Sequence, residues 1–363
     1  MLMVVVLVMI MFMMMLVMMS VAMPATAAVG MVIVFLVHFT CILKFLLVFF
    51  KHCKGMALNV QLGCKNKQAY FVLRLICSNF AAKITGMSTN NKIVYRAIAL
   101  DLDGTLTNNK KEVTPATREA LLTAHENGAH IILASGRPTF GIEPVAECLE
   151  LSTRGGYILS YNGGKIIDWR TKEEIYSQHL PSDMIPVLYN YAKEHGHALL
   201  GYVGKEIITE SADDKYVAEE SHINKMPIRK VENLLAELEP NPTKLLMTAE
   251  PTVAEKAEKE LLDLVGDRMD VYRSAPFFVE LVPKGIDKAQ SLLRLLAKLN
   301  LTPQDMIAFG DGYNDLSMLR LAGMGVAMSN AAPEVRSEAD YVTLSNEENG
   351  VAAAINKLCY NNE

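Results

Sequence analysis

Asp101-Leu102-Asp103-Gly104-Thr105-Leu106 follows an apolar run, residues 93–100, rich in aliphatic and β-branched side chains. Such a run reads as a buried strand. Two carboxylates spaced i, i+2 at its C-terminal end, then Gly-Thr, make a compact reactive tip, and in open α/β sheets that edge is where ligands bind. If a cation offsets their repulsion, one carboxylate can act as nucleophile while its neighbour handles protons. The plain alternative is a solvated turn capped by Asp and Gly. Three later stretches come in a fixed order. Ile131-Ile132-Leu133-Ala134-Ser135-Gly136-Arg137-Pro138 is a strand ending in a small hydroxyl residue. Lys284-Gly285-Ile286-Asp287-Lys288 precedes an amphipathic helix, and Met306-Ile307-Ala308-Phe309-Gly310-Asp311-Gly312-Tyr313-Asn314-Asp315 ends in further carboxylates.

The elements that position these residues alternate. A helix opens at Thr114-Pro115, with a cap residue and proline in its first turn, and stops at Gly128. Strand 129–134, a helix near 141–149, strand 157–161 and a hairpin over 165–179 follow. This order predicts an α/β fold with a doubly wound, mostly parallel sheet and right-handed crossovers. Pro181 opens a different texture: helix 183–195, strand-like 198–201 and 206–209, helix 231–238, strand 243–248, helix 253–264, and strands 269–273 and 277–282. The sheet pattern resumes with helix 288–299, strand 306–310, helix 314–322, strand 325–328, helix 332–338, strand 341–344 and helix 350–358. The expected domains are therefore a core from 93–180 and 284–363, and an inserted α+β cap over 181–283 with hinges near Leu180 and Pro283.

The four stretches together closely resemble the motifs of the haloacid dehalogenase (HAD) superfamily, and best its Cof-type branch of sugar-phosphate phosphatases, over about residues 93 to 363. The resemblance implies Asp101 as nucleophile, forming an aspartyl-phosphate, and Asp103 as the acid/base. An Asp at the second position, where related ion pumps carry Thr, favours phosphatase or phosphomutase chemistry. The family pattern places Mg²⁺ on the Asp101 side chain, the Asp103 backbone carbonyl and Asp311, with Asn314 and Asp315 close by. Such a hard cation takes oxygen ligands in octahedral geometry. Leu102, Ser135, Gly136, Lys288 and Asn314 match phosphate-holding positions. Ser135 offers a hydroxyl donor, and Lys288 brings a positive charge to a helix N-terminus. Lys284 is the rival lysine, read as a surface charge at the hinge. Arg137 can reach the phosphate or a sugar hydroxyl, or make a hinge salt bridge. Asn162 can orient substrate or only shape a turn. Tyr202, Glu206, Lys215, Tyr216 and residues 274–278 are candidates for facing the leaving group. The expected substrate is a small phosphate ester, most of all a sugar phosphate. A phosphomutase and a membrane-tethered, non-catalytic binding protein are the alternatives.

Composition divides the chain. All 40 acidic residues lie from Asp101 onward, while eight of the 35 basic ones lie within residues 1–92. An acidic body argues against nucleic acid as partner, because phosphate backbones need a basic face. Residues 1–50 hold one charge, Lys44, and 11 of the 21 methionines. Residues 31–50 are long enough to span a bilayer, and 1–17 are borderline. If 31–50 span, the lysines that follow hold the enzyme on the cytoplasmic side of an inner membrane. The competing and preferred reading starts the product at Met87, just before the first core strand, as members of the family do, and places a soluble enzyme in the cytoplasm. No Cys-x-x-Cys occurs among the six cysteines, which suits a reducing compartment.

Overall fold

The computed structural model describes residues 93–360. The expected apolar segments 1–17 and 31–50, and Met87, lie outside the described residues. Among those described, no helix is long and apolar enough to cross a membrane.

Five strands open the described chain: β1 (Ala97–Leu100), β2 (His130–Ala134), β3 (Tyr157–Ser160), β4 (Lys165–Asp168) and β5 (Glu174–Ser177). Six follow: β6 (Ala198–Val203), β7 (Glu206–Thr209), β8 (Ile228–Lys230), β9 (Leu245–Thr248), β10 (Met269–Ala275) and β11 (Phe278–Pro283). Three close it: β12 (Met306–Gly310), β13 (Met324–Ala327) and β14 (Tyr341–Val342). They form an eight-stranded sheet in the order β14-β13-β12-β1-β2-β3-β4-β5 and a six-stranded sheet in the order β10-β11-β9-β6-β7-β8.

In the large sheet β1 is parallel to both β2 and β12, and chain order runs outward from it in both directions. That reversal makes a crevice at the C-terminal ends of β1 and β12, the point at which open α/β sheets bind ligands. The sheet is parallel from β14 to β3, and antiparallel where β4 joins β3 and β5 joins β4. Both its faces are covered, which is why β1 reads as a continuous apolar run rather than an alternating one. Ile98 and Leu100 pack on one face with Leu121 and Ala124 of helix Pro115–Glu126 and with Val351 and Ile355 of helix Gly350–Leu358. Ala97 and Ala99 face the other way, toward Leu292, Leu295 and Leu296 of helix Lys288–Lys298. Each of these buried leucines stabilises the fold by roughly 1.5–3 kcal/mol relative to exposure. Together the two faces fix the height at which β1 and β12 end.

The six-stranded sheet is antiparallel apart from the β7–β8 pair. Here the sequence expectations need correction. Helix 231–238 shrinks to Leu234–Glu237, which Asn233 caps by accepting from the Ala236 amide. Helix Lys215–Asn224 was not expected at all. Two of its three buried positions are Glu220 and Asn224, so no apolar stripe marks it in the sequence. In the large sheet, β1 starts at Ala97 rather than 93, and the helix expected from 314 begins as a 3₁₀ turn, Tyr313–Asp315, before Leu316–Leu321.

Candidate active site

Strand β1 delivers Asp101 to the crevice with 6% of its surface exposed. Its backbone amide still donates to the Phe309 carbonyl of β12 at 3.0 Å, so its position is set by the sheet itself. The next residues turn sharply. The Leu102 carbonyl accepts from the Thr107 amide and hydroxyl, each at 2.9 Å, and the Leu102 side chain is buried in the core. Gly104 sits at φ +83°, and a Cβ there would collide with the Asp311 carboxylate. Only glycine satisfies both conditions.

Lys288, at the start of its helix, is 1% exposed and its Nζ donates to Asp101 Oδ1 and Asp315 Oδ1, both at 2.6 Å. Lys284 instead reaches the Gly266 carbonyl at 2.6 Å and Asp270 at 3.1 Å, near the surface. The other oxygen of Asp315 accepts the Asp311 and Gly312 amides at 3.0 and 2.9 Å, which ties the lysine to the loop after β12. Asp311 completes the group, its Oδ1 accepting from Thr105 Oγ1 at 2.6 Å. Carboxylate oxygens of Asp101, Asp311 and Asp315 lie within 4.8 Å of one another. Burial, then the charge of Asp315, pushes the Asp101 carboxyl well above its ordinary range. Burial is likewise the largest influence on Asp311, which is pushed up to about 6 although Thr105 pulls it down. Lys288 is raised too: burial opposes its charge, but Asp101 and Asp315 outweigh that. Three crowded carboxylates with one lysine between them form an all-oxygen set with surplus negative charge, and such a set fits a hard divalent cation.

Asp103 points elsewhere. Arg137 grips its carboxylate in a bidentate pair, Nε to Oδ2 at 2.7 Å and Nη2 to Oδ1 at 2.6 Å, and Lys111 Nζ joins at 2.6 Å. Burial alone would raise this carboxyl, but Arg137 and then Lys111 hold it below its ordinary value. Among side chains the acidic cluster holds Asp101 and Asp311 with Asp315 beside them, and the Asp103 carboxylate, whose backbone carbonyl alone was the expected ligand, lies outside it. Arg137 makes no hinge salt bridge here: it pairs with Asp103, and its Nη1 donates to the Gly141 carbonyl at 3.1 Å.

Ser135 is buried at the end of β2, where its Oγ accepts from the Arg137 amide at 3.2 Å, leaving its own proton to donate. Its carbonyl accepts from the Asn162 amide at 2.9 Å. Gly136 lies under the Asn162 side chain, which a Cβ at 136 would approach to 3.2 Å. Asn162, at φ +55°, accepts from Asn314 Nδ2 at 3.1 Å and donates to Tyr272 Oη at 2.9 Å.

Four residues in this constellation had no role assigned from the sequence. Thr105 stands inside the first motif. Lys111 returns to Asp103 through a tight loop in which the Asn108 amide meets the Glu112 carbonyl. Asn330 donates to the Gly104 carbonyl at 2.9 Å from 226 residues away, and Tyr272 comes from β10. Of the leaving-group candidates, Tyr202 is buried on Glu220, Glu206 pairs with Arg229, Lys215 with Glu250, Tyr216 stacks on Phe277, and Ser274 donates to Glu280.

Residues 98–355 match the family of haloacid dehalogenase-like hydrolases. A solved haloacid dehalogenase-like hydrolase from Bacteroides thetaiotaomicron is 48% identical, with a TM-score of 0.72 over 73% of this chain and 99% of that one. The subclass IIB sugar phosphatase BT4131 is 26% identical, with a TM-score of 0.61 over 72% of this chain and 98% of its own. The 5-amino-6-(5-phospho-D-ribitylamino)uracil phosphatase YcsE of Bacillus subtilis (strain 168) is 29% identical over 72% of this chain and 94% of its length. The chain belongs to the haloacid dehalogenase-like hydrolases and is a phosphatase of that family.

Proposed function

We propose that this phosphatase is a Mg²⁺-dependent phosphomonoesterase of small phosphorylated metabolites, sugar phosphates foremost, working through an aspartyl-phosphate on Asp101. The observation that carries the reading is the separation of two carboxylates only two positions apart in the chain. Asp101 is buried on Lys288 at the β1/β12 crevice, while Asp103 is held on Arg137 and Lys111. In this reading the first attacks phosphorus and the second moves protons.

Asp101 Oδ attacks the phosphorus, the ester P–O bond breaks, and the departing alkoxide takes a proton from Asp103. Asp103 then removes a proton from the water that attacks phosphorus, the Asp101–phosphorus bond breaks, and inorganic phosphate leaves. The clamp on Asp103 suits this second step, in which the carboxylate must be ionised; acting as acid requires that it first loosen from Lys111 or Arg137. Lys288 holds Asp101 in line, and the Leu102 backbone, Ser135 hydroxyl, Gly136 amide and Asn314 supply donors for phosphate oxygens. Mg²⁺ on Asp101, Asp311 and Asp315, with the Asp103 carbonyl, would neutralise charge at the phosphoryl group. Residues 181–283 form a lid over this centre, and the acidic body with free Cys148 and Cys359 suits the cytoplasm.

The test is phosphate release across a panel of metabolite esters with and without Mg²⁺, together with beryllium fluoride as an aspartyl-phosphate mimic. Mg²⁺-dependent release that beryllium fluoride inhibits is expected. Release indifferent to chelation, or undiminished in Asp101→Asn, overturns the reading.

A further inference from the structure

Asn162 is the one side chain of the phosphate-side turns seen to hydrogen-bond, among the described residues, with the inner face of the six-stranded sheet. Its Oδ1 is occupied by Asn314 of the acidic loop, and its Nδ2 donates to the Tyr272 hydroxyl at 2.9 Å. The backbone fixes this bridge. Asn162 is held in the left-handed region at φ +55°, its amide is tied to the Ser135 carbonyl, and Gly136 leaves just enough room beneath it.

On the other side, Tyr272 lies opposite Glu280 in the β10–β11 register. Glu280 is itself committed, accepting from Lys244 Nζ and Ser274 Oγ, each at 2.7 Å. Burial, and then that neighbouring charge, holds the Tyr272 phenol above its ordinary range, so it keeps its proton. Among the described residues the Tyr272 hydroxyl accepts a hydrogen bond and donates none. The pair thus presents an O–H donor with a nearby amide, one side chain from the phosphate turn and one from the opposite sheet.

We propose that Tyr272 and Asn162 read a hydroxyl group of the leaving alcohol, making Tyr272 a specificity-determining residue for polyhydroxylated esters. This rests on the phosphomonoesterase reading and deepens it. A substrate hydroxyl is donor and acceptor at once. Its oxygen can accept from Tyr272 Oη and Asn162 Nδ2 together, replacing the Asn162–Tyr272 bond without leaving either group unpaired. An alkyl or aryl leaving group offers no such exchange, and wedging it between the two would leave the Asn162 amide and the Tyr272 hydroxyl unpaired.

The test crosses enzyme with substrate. Hydrolysis of a hexose phosphate, of its deoxy analogues and of p-nitrophenyl phosphate is measured with Mg²⁺ for the wild type and Tyr272→Phe. The wild type is expected to favour the hexose phosphate over one deoxy analogue by about tenfold or more in kcat/KM, mainly through KM. Tyr272→Phe should treat those two esters within about twofold of each other. Equal discrimination by both enzymes overturns the proposal. So does wild-type hydrolysis of p-nitrophenyl phosphate with no preference for any hydroxylated ester, and in that case the phosphatase reading stands. No phosphate release from any ester refutes the underlying reading instead. Should Tyr272→Phe fail to fold, Asn162→Asp, which loses the amide donor and keeps the shape, answers the same comparison.

Discussion

At the tip of the large sheet Asp101, Asp311 and Asp315 share one buried cation, Lys288. On the six-stranded sheet Lys244 and Glu280 pair one to one, and Glu220 is answered by the Tyr202 hydroxyl at 2.6 Å. Both groups are buried, and burying an ionised group unpaired is costly. The matched pair is complete as it stands and calls for nothing further. The crowded tip is not: its surplus negative charge fits it to take up a further cation. Perturbed carboxyls in a crevice are a sign of function when the surrounding charge leaves them unbalanced.

The sharpest way to break that contrast is Asp101→Asn. Turnover should fall by about 10⁴-fold or more, as for other enzymes that lose the nucleophile, while the thermal midpoint without metal does not fall. The substitution removes a buried carboxyl whose charged form is disfavoured by burial and by the charge of Asp315. Phosphate release and a melting curve read both results. A large loss of stability would mean that Asp101 holds the fold together rather than crowding it.

Removing the cations compares the two clusters directly. Lys288→Met leaves Asp101 and Asp315 buried without a counter-charge, and Lys244→Met leaves Glu280 so. Each should cost about 3–5 kcal/mol in urea unfolding. Only Lys288→Met should also abolish Mg²⁺-dependent turnover, and Lys244→Met paired with Glu280→Leu should recover most of its stability. Next in size is Mg²⁺ itself. At a hundred times its Kd it should stabilise the native state by about 2.7 kcal/mol, seen as a raised melting temperature. Asp311→Asn should erase that shift and Glu280→Gln should not.

These residues differ in how visible they are in the sequence, for physical reasons. Asp101, Asp311 and Lys288 sit at strand and helix ends whose apolar flanks announce them, and the parallel order of the sheet follows from the strand–helix alternation. Thr105, Asn330 and Lys111 join the site through contacts made only once the chain has folded, such as Thr105 to Asp311 across 206 residues. Local pattern holds no trace of that. The Arg137–Asp103 pair was not foreseen because an arginine after a strand end can turn in several directions, and its hydrogen bond to the Gly141 carbonyl helps fix which one it takes. Helix Lys215–Asn224 escaped because its buried face is polar, and Tyr272 because nothing in an alternating strand says which sheet it will face.

Glu220 gives the smallest effect and the finest comparison of the two regions. Burial is the main reason its carboxyl is raised; Lys244 and the Tyr202 hydroxyl oppose the shift, and Glu280 adds to it. Its folded value lies above its unfolded one, so the native state binds more protons than the unfolded chain between the two. Stability from Glu220 is therefore fully present below the ordinary glutamate range and is lost as pH rises through the raised value, with a slope of at most about 1.4 kcal/mol per pH unit. Glu220→Gln keeps an oxygen to accept from Tyr202 and cannot ionise. Urea unfolding of both proteins from pH 4 upward should show the wild type losing stability relative to the variant across that window, and a constant difference above it. The reverse slope would mean that Lys244 serves both glutamates. The six-stranded sheet would then hold its charges ionised, and the contrast with the crowded carboxylates at Asp101 would rest on Lys288 alone.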